Sequence, residues 1–181
     1  MVVRAGSWAE KPGCTGQGGT TTVHGMTSPQ FVPDGFDPPT LLVTDRFRLE
    51  SLGPQHNDAD LAAWTSSIEH IRATPGFPDG NWPPLDGMPP ERNLADLRRH
   101  AEDFTRRVGF TFTFTFTVLD PADDDVIGCI YLYPAADAEH DVVVQSWVRA
   151  DRADLDVPLA DVLAQWLAAD WPWRRIDRCG R

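Results

Sequence analysis

Alternating apolar and polar residues predict the strands of this chain. In the clearest case, 110–119, four phenylalanines alternate with threonines, so a strand would carry all the phenylalanines on one face and all the threonines on the other. Because the strand period is two, gain or loss of Phe-Thr pairs would leave every side chain on its own face. Further strands are predicted at 44–52, 126–133 and 140–149, with a last short strand at 174–181.

Apolar residues that recur at spacings of three and four predict three helices. They are expected at 57–71, 91–108 and 159–170. Between the first two lies a loop rich in proline and glycine, 74–90, of a length that is usually functional or mobile. The acidic turn after the Phe-Thr strand predicts that this strand and the next form a hairpin.

The first 40 residues have no period and are rich in glycine, threonine and proline. Such a segment buries too little apolar surface to offset the entropy of ordering it. We therefore expect 1–40 to be a disordered tail and 41–181 to be one folded domain. Translation could begin at Met1 or at Met26.

Composition and charge exclude some classes of function. The chain has 181 residues, a net charge of −11 and a pI near 4.7. An acidic surface argues against binding nucleic acid, which needs a basic one. No apolar run approaches the roughly 20 residues of a membrane helix, so no membrane partner is expected. Fifteen of the 16 basic residues are arginine, a composition typical of GC-rich, bacterial-like genomes.

The cysteines and histidines show no ligand spacing. Cys14, Cys129 and Cys179 are odd in number and far apart, and the five histidines are scattered. We predict neither a disulfide framework nor a metal site, and a cytoplasmic location.

The predicted order is strand, two helices, antiparallel hairpin, strand, helix and strand. It resembles the first two-thirds of the GNAT (GCN5-related N-acetyltransferase) fold over about 41–181. The segment 126–131, with its Ile127-Gly128 pair, resembles the third strand of that family; 142–149 resembles the fourth, and 159–170 the helix after it. The resemblance implies an α+β fold with a mixed, mainly antiparallel sheet flanked by helices. The C-terminal helix and strands of the family would be absent.

The resemblance also implies acetyl-CoA as acyl donor. In the family, the fourth strand binds the pantetheine arm, and a glycine-containing loop at the following helix holds the pyrophosphate on backbone N–H groups. The corresponding residues of this chain are Ser146, Trp147, Val148, Arg149 and Arg152.

The loop departs from the family pattern. Leu155 and Val157 stand where the family has glycine, and Asp154 and Asp156 bring negative charge to the phosphate position. An aspartate here could cap the helix and occupy donors that a phosphate needs.

Transfer of an acyl group to an amine needs a base and donors for a developing oxyanion. The resemblance places the backbone N–H groups near Trp147 and Val148 at the oxyanion. Glu139, His140 and Asp141 at the start of the same strand could supply the base. The alternative is that these three form a solvated turn.

Five residues are candidates for the acceptor site: Glu69, His70, Trp82, Tyr131 and Tyr133. Glu69 and His70 lie off the apolar stripe of the first helix, near the long loop, and the two tyrosines share one face of a strand. The alternatives are ordinary helix surface for the first two and core packing for the aromatic residues.

These observations lead to two principal hypotheses. The first is an acyl-CoA-dependent N-acyltransferase, acting on a small-molecule or protein amine. The second is a non-catalytic ligand- or protein-binding domain that has lost acetyl-CoA binding. A third hypothesis is a structural or subunit role, in which the open edge of the sheet near Ile176 pairs two copies into a homodimer.

Overall fold

The computed structural model describes residues 31–77, 82–106 and 113–179. The elements in chain order are β1 (Leu41–Val43), β2 (Arg48–Ser51), a 3₁₀ turn (Pro54–His56), α1 (Asn57–Thr65), α2 (Ile68–Ala73), α3 (Pro90–Arg106), β3 (Phe114–Leu119), β4 (Val126–Pro134), β5 (Val142–Val148), a 3₁₀ helix (Ala150–Leu155), α4 (Asp156–Asp170) and β6 (Ile176–Asp177). Most of the predicted tail, 1–30, lies outside the described residues, as does the start of the Phe-Thr strand. Within 31–40, Phe31 and Val32 are buried in the core.

The six strands form one sheet in the order β1-β2-β3-β4-β5-β6. Each strand pairs antiparallel with its neighbour, except that β6 runs parallel to β5. The predicted α+β class, with a mixed and mainly antiparallel sheet flanked by helices, is confirmed. Pairing of two copies through the sheet edge near Ile176 stays a prediction.

The two faces of the sheet belong to different clusters. Along β4, Ile130 and Leu132 pack in the cluster that includes residues of α4, whereas Cys129 and Tyr131 pack in the cluster that includes residues of α1, α2 and α3. This alternation is what the strand period requires.

The described part of the Phe-Thr strand follows the predicted alternation. Phe114 and Phe116 belong to the α4 cluster, and the ring of Phe116 lies 5.1 Å from that of Trp166. Thr115 faces the other way, with its hydroxyl 3.1 Å from Nδ1 of His100 on α3.

Two predicted elements are interrupted in the structure. Of the strand expected at 44–52, only β2 forms, because the Thr44 hydroxyl accepts a hydrogen bond from the Phe47 amide (2.9 Å) and makes 44–47 the turn between β1 and β2. The helix expected at 57–71 breaks at Ser66 and Ser67, which separate α1 from α2.

The cysteines differ in state. Cys129 is a free, buried thiol, whereas Cys179 is disulfide-bonded, contrary to the sequence expectation. Among the described residues, no helix is long and apolar enough to cross a bilayer.

Candidate functional site

The two edges of β5 are paired to different extents. On one side, β4 pairs with β5 from Val142 to Val148. On the other side, the described pairing with β6 joins Val142 to Ile176 and Val143 to Asp177, and ends there. Over 144–148, β5 therefore has no described strand partner on that side, and we call this side of 144–148 the separated edge.

The chain turns directly after β6. The Asp177 carboxylate accepts a hydrogen bond from the Cys179 amide (2.8 Å), and Cys179 adopts a left-handed φ of +53°. This turn takes the chain out of the strand and towards the loop at Gly76, where a Cβ atom would lie 3.3 Å from Cys179 Cβ and 3.2 Å from Gln145 Cγ.

Hydrogen-bond alternation fixes which amides face the separated edge. The Arg149 amide donates to the Ile127 carbonyl (2.8 Å), so the backbone N–H of Arg149 points at β4. In an antiparallel pair successive residues point to opposite sides, which directs the Trp147 N–H to β4 and the Val148 N–H to the β6 side. Of the two amides considered for the oxyanion, Val148 therefore has the suitable direction. The Ser146 side chain is buried.

Gly128 allows β4 to approach the end of β5 closely. A Cβ atom at Gly128 would lie 2.3 Å from the Trp147 carbonyl oxygen, which is closer than real Cβ contacts. Only glycine fits this position without movement of one strand. This contact is the physical reason for the Ile127-Gly128 pair noted in the sequence.

The arginines of the predicted cofactor loop are held by aspartates. The Arg149 guanidinium binds both oxygens of Asp151 (2.9 and 2.8 Å) and Oδ2 of Asp125 (2.5 Å). Arg152 pairs with Asp120 at 2.9 Å. These contacts raise the pKa of Arg149, the largest cause being its hydrogen bond to Asp151, and Arg149 in turn lowers the pKa of Asp151.

The loop itself is helical rather than open. Residues Ala150–Leu155 form 3₁₀ turns that are interrupted at Arg152, where φ is −123°, and that run directly into α4. At its start, the Ala150 amide donates to the Ser67 hydroxyl (3.0 Å), which already satisfies one donor that an anion would use. The outer edge of β5 therefore fits an amide-bearing arm, whereas the loop does not offer the glycine-lined, positively charged cradle that a diphosphate needs.

Ser67 brings the start of α2 to the end of β5. His70 follows one turn later, on the same side of the helix as Ser67. The Nε2 atom of His70 is buried and has no hydrogen-bond partner in the described part of the chain. The neighbouring Glu69 is exposed. Of these two acceptor-site candidates, His70 is the one with a buried ring nitrogen that lacks a partner among the described residues.

The predicted aromatic residues of the acceptor site meet on the α1–α3 face of the sheet. The Trp82 ring lies 6.1 Å from Tyr131 and 5.9 Å from Trp147, and Tyr131 stacks on Tyr133 at 5.9 Å. Burial raises the pKa of both tyrosines, so their phenols remain protonated. This aromatic cluster can exclude water from the adjacent strand edge.

Gln145 adds a polar atom beside the cluster. Its side chain is buried on β5, and its Oε1 accepts no hydrogen bond within the described ranges. An orphaned buried oxygen of this kind calls for a donor, and an amine substrate could supply one.

The three predicted base residues lie at the other end of β5. Asp141 binds the Arg175 guanidinium, which is the largest cause of lowering its pKa to about 2, and also accepts from the Arg175 and Arg174 amides (2.9 and 3.0 Å). The His140 Nδ1 lies 3.0 Å from an Asp137 carboxylate oxygen, and Glu139 is exposed. The structure thus separates this group from Arg149 by the length of β5, about 20 Å.

One buried polar network was missed by the sequence reasoning. Asn93 on α3 donates to Asp60 (3.1 Å) and accepts from the Trp64 indole N–H (3.1 Å), which ties α3 to α1. Burial raises the pKa of Asp60 to about 6, against the opposing hydrogen bond from Asn93. In the sequence, the sign of this network is Asp60, an aspartate on the apolar side of the helix predicted at 57–71.

Comparison with known proteins adds a structural likeness. No family model matches the sequence, and no curated protein does. RimL, the ribosomal L7/L12 alpha-N-protein acetyltransferase in complex with coenzyme A, superposes with a TM-score of 0.52 at 9% identity, covering 72% of this chain and 69% of that one. The ribosomal-protein-S5-alanine acetyltransferase of Vibrio fischeri gives 0.51 at 12% identity, over 71% and 67%.

The apo form of RimL gives a TM-score of 0.51 at 12% identity, over 77% and 72% of the two chains. At these identities the likeness concerns the fold. The chain therefore has the fold of the GNAT acetyltransferases.

Proposed function

We propose that this chain is an acyl-CoA-dependent N-acyltransferase that transfers an acetyl group to an amine of a small molecule or a protein. The observation that carries the proposal is the separated edge of β5, where described pairing with β6 ends at Val143 while pairing with β4 continues to Val148. Backbone groups on such an edge can bind the amides of a pantetheine arm. The cytoplasmic location stays a prediction.

Two groups at this edge suit the chemistry. The Val148 N–H is directed at the separated side and can donate to the carbonyl oxygen of the thioester as negative charge develops there. His70 Nε2 can take the proton that the amine loses on forming the amide bond, and return it to the departing thiolate. His70 suits this role better than Asp141, because a carboxylate with a pKa of about 2 is a weak base.

The acceptor would enter against the aromatic cluster. Trp82, Tyr131 and Tyr133 provide an apolar wall, and Gln145 Oε1 can accept a hydrogen bond from the amine. The relatives named above modify ribosomal proteins, which supports a protein amine as one class of acceptor.

The ion-paired loop favours a second candidate function, a binding domain that no longer takes acetyl-CoA. Its arginines are held by Asp120, Asp125 and Asp151, and its glycine positions carry larger residues. Such a domain would keep the aromatic cluster and bind an amine or peptide without transfer.

Thermal unfolding with acetyl-CoA separates the two candidates. A ligand at 100 times its dissociation constant stabilises the folded state by about 2.7 kcal/mol, which is about 5–10 °C in a domain of this size. A transferase should show this rise in melting temperature with acetyl-CoA. The His70→Gln variant should show the same rise but should no longer acetylate a test amine. If the melting temperature does not rise at millimolar acetyl-CoA, the binding domain is the remaining candidate.

A further inference from the structure

Two arginines next to the proposed donor site already have carboxylate partners, and two of those partners come from one turn. Asp120 binds Arg152 and Asp125 binds Arg149. Both aspartates belong to the turn between β3 and β4, far from the arginines in sequence. The same guanidinium N–H groups are the donors that a diphosphate would need.

The turn is built to hold these carboxylates in place. The Asp120 amide donates to the Asp125 carbonyl (2.9 Å), and the Asp120 carboxylate accepts from the Ala122 amide (3.0 Å). The Asp123 carboxylate accepts from the Asp125 amide (3.1 Å). Backbone and side-chain bonds within the turn therefore fix the direction of Asp120 and Asp125, so the contacts to the loop are not chance positions of mobile side chains.

We propose that Asp120 and Asp125 determine donor specificity by occupying the arginines of the loop. An incoming diphosphate must displace both carboxylates and approach their negative charge, so its binding adds little. The separated edge of β5 then recognises the donor by its pantetheine arm. This inference rests on the proposed function and identifies the pantetheine arm as the part of the donor that the chain recognises.

Calorimetric titration with coenzyme A and with pantetheine, which lacks the nucleotide diphosphate, tests the inference. The wild-type chain should bind the two ligands with dissociation constants within about threefold of each other. In D120N/D125N, two partly buried ion pairs are removed, and coenzyme A should bind about five- to tenfold more tightly. Pantetheine should bind as before, which also shows that the variant is folded.

Asp170→Asn is the charge-matched control, because Asp170 is exposed at the far end of α4, about 20 Å from the loop. It should change neither affinity. The wild-type chain could instead bind coenzyme A at least tenfold more tightly than pantetheine, with the same ratio in D120N/D125N. That result would show that Asp120 and Asp125 do not determine donor specificity, whereas the proposed donor binding would be supported. If neither protein binds either ligand, the proposed function itself fails.

Discussion

The two ends of β5 are built in opposite ways. At the start of the strand, Val142 and Val143 have strand partners on both sides, and Asp141 fastens the backbone before β6. At the end, β5 has no described partner on the β6 side, and the Val148 N–H is directed to that side. One strand thus provides both the anchor that holds the sheet together and the edge that we propose as the donor site.

The comparison also explains why the predicted base residues do not join the rest of the site. We call the start of β5, which has partners on both sides, the closed end, and its other end the open end. Asp141 is needed at the closed end, where it binds the Arg174 amide, the Arg175 amide and the Arg175 guanidinium. A carboxylate used in this way is neither basic nor free to move. The open end takes its polar side chains from another element, α2.

The largest effect is expected from Gly128→Ala, which would disrupt the support of the open end. The added Cβ would lie 2.3 Å from the Trp147 carbonyl oxygen, so β4 and β5 must separate. We expect a loss of about 3 kcal/mol in the free energy of unfolding, measured by urea denaturation. Gly87→Ala is the control: Gly87 has a φ of +73° but no atom within 4 Å of its Cβ position, so it should lose only about 1 kcal/mol.

A smaller effect is expected where α2 meets the open end. Ser67→Ala removes the acceptor of the Ala150 amide and leaves that donor unsatisfied, which should cost about 1–2 kcal/mol of stability. Ser66→Ala is the comparison variant, since Ser66 donates to the Ala63 carbonyl of its own helix (2.8 Å) and has only a longer contact to the Ser67 hydroxyl (3.4 Å). Equal losses from both variants would show that the contact between α2 and the loop contributes nothing.

The smallest effect is expected at the closed end, and it depends on pH. The folded-state pKa of Asp141 is about 2, below the unfolded value of about 3.9, so its contribution is complete above pH 4 and is lost as pH falls through 2. Because the side chain is well solvated, screening limits this contribution to about 1 kcal/mol.

Asp141→Asn should therefore lower stability by about 1 kcal/mol at pH 7, and by progressively less as pH falls towards 2. Chemical denaturation across that range measures the difference. A loss that stays constant with pH would assign the effect of Asp141 to packing instead of charge.

The strands and helices were largely predictable from the sequence because their pattern is local. Alternation located β3 to β5, and helical spacing located α3 and α4. The breaks were missed because single side chains cause them: the Thr44 hydroxyl accepts from the Phe47 amide and makes the first part of a predicted strand a turn. Such a bond competes with the pattern at one residue and leaves no periodic signal.

The site was less predictable, because its parts are far apart in the chain. The sequence showed Arg149 and Arg152 and an acidic turn, but nothing in it showed that Asp125 and Asp120 bind these arginines. Likewise, Ser67 gave no sign that it would reach Ala150, 83 residues later. Only the folded chain brings these groups together.

Hydrogen exchange at the end of β5, with and without acetyl-CoA, tests the central claim most directly. The Val148 amide points at the separated edge, so donor binding should slow its exchange strongly, whereas the Trp147 amide is already bonded to β4 and should change little. Slowed exchange at Val148 alone is the predicted result. Unchanged exchange at Val148 under saturating acetyl-CoA, or protection confined to another surface, would contradict the assignment of this edge as the donor site.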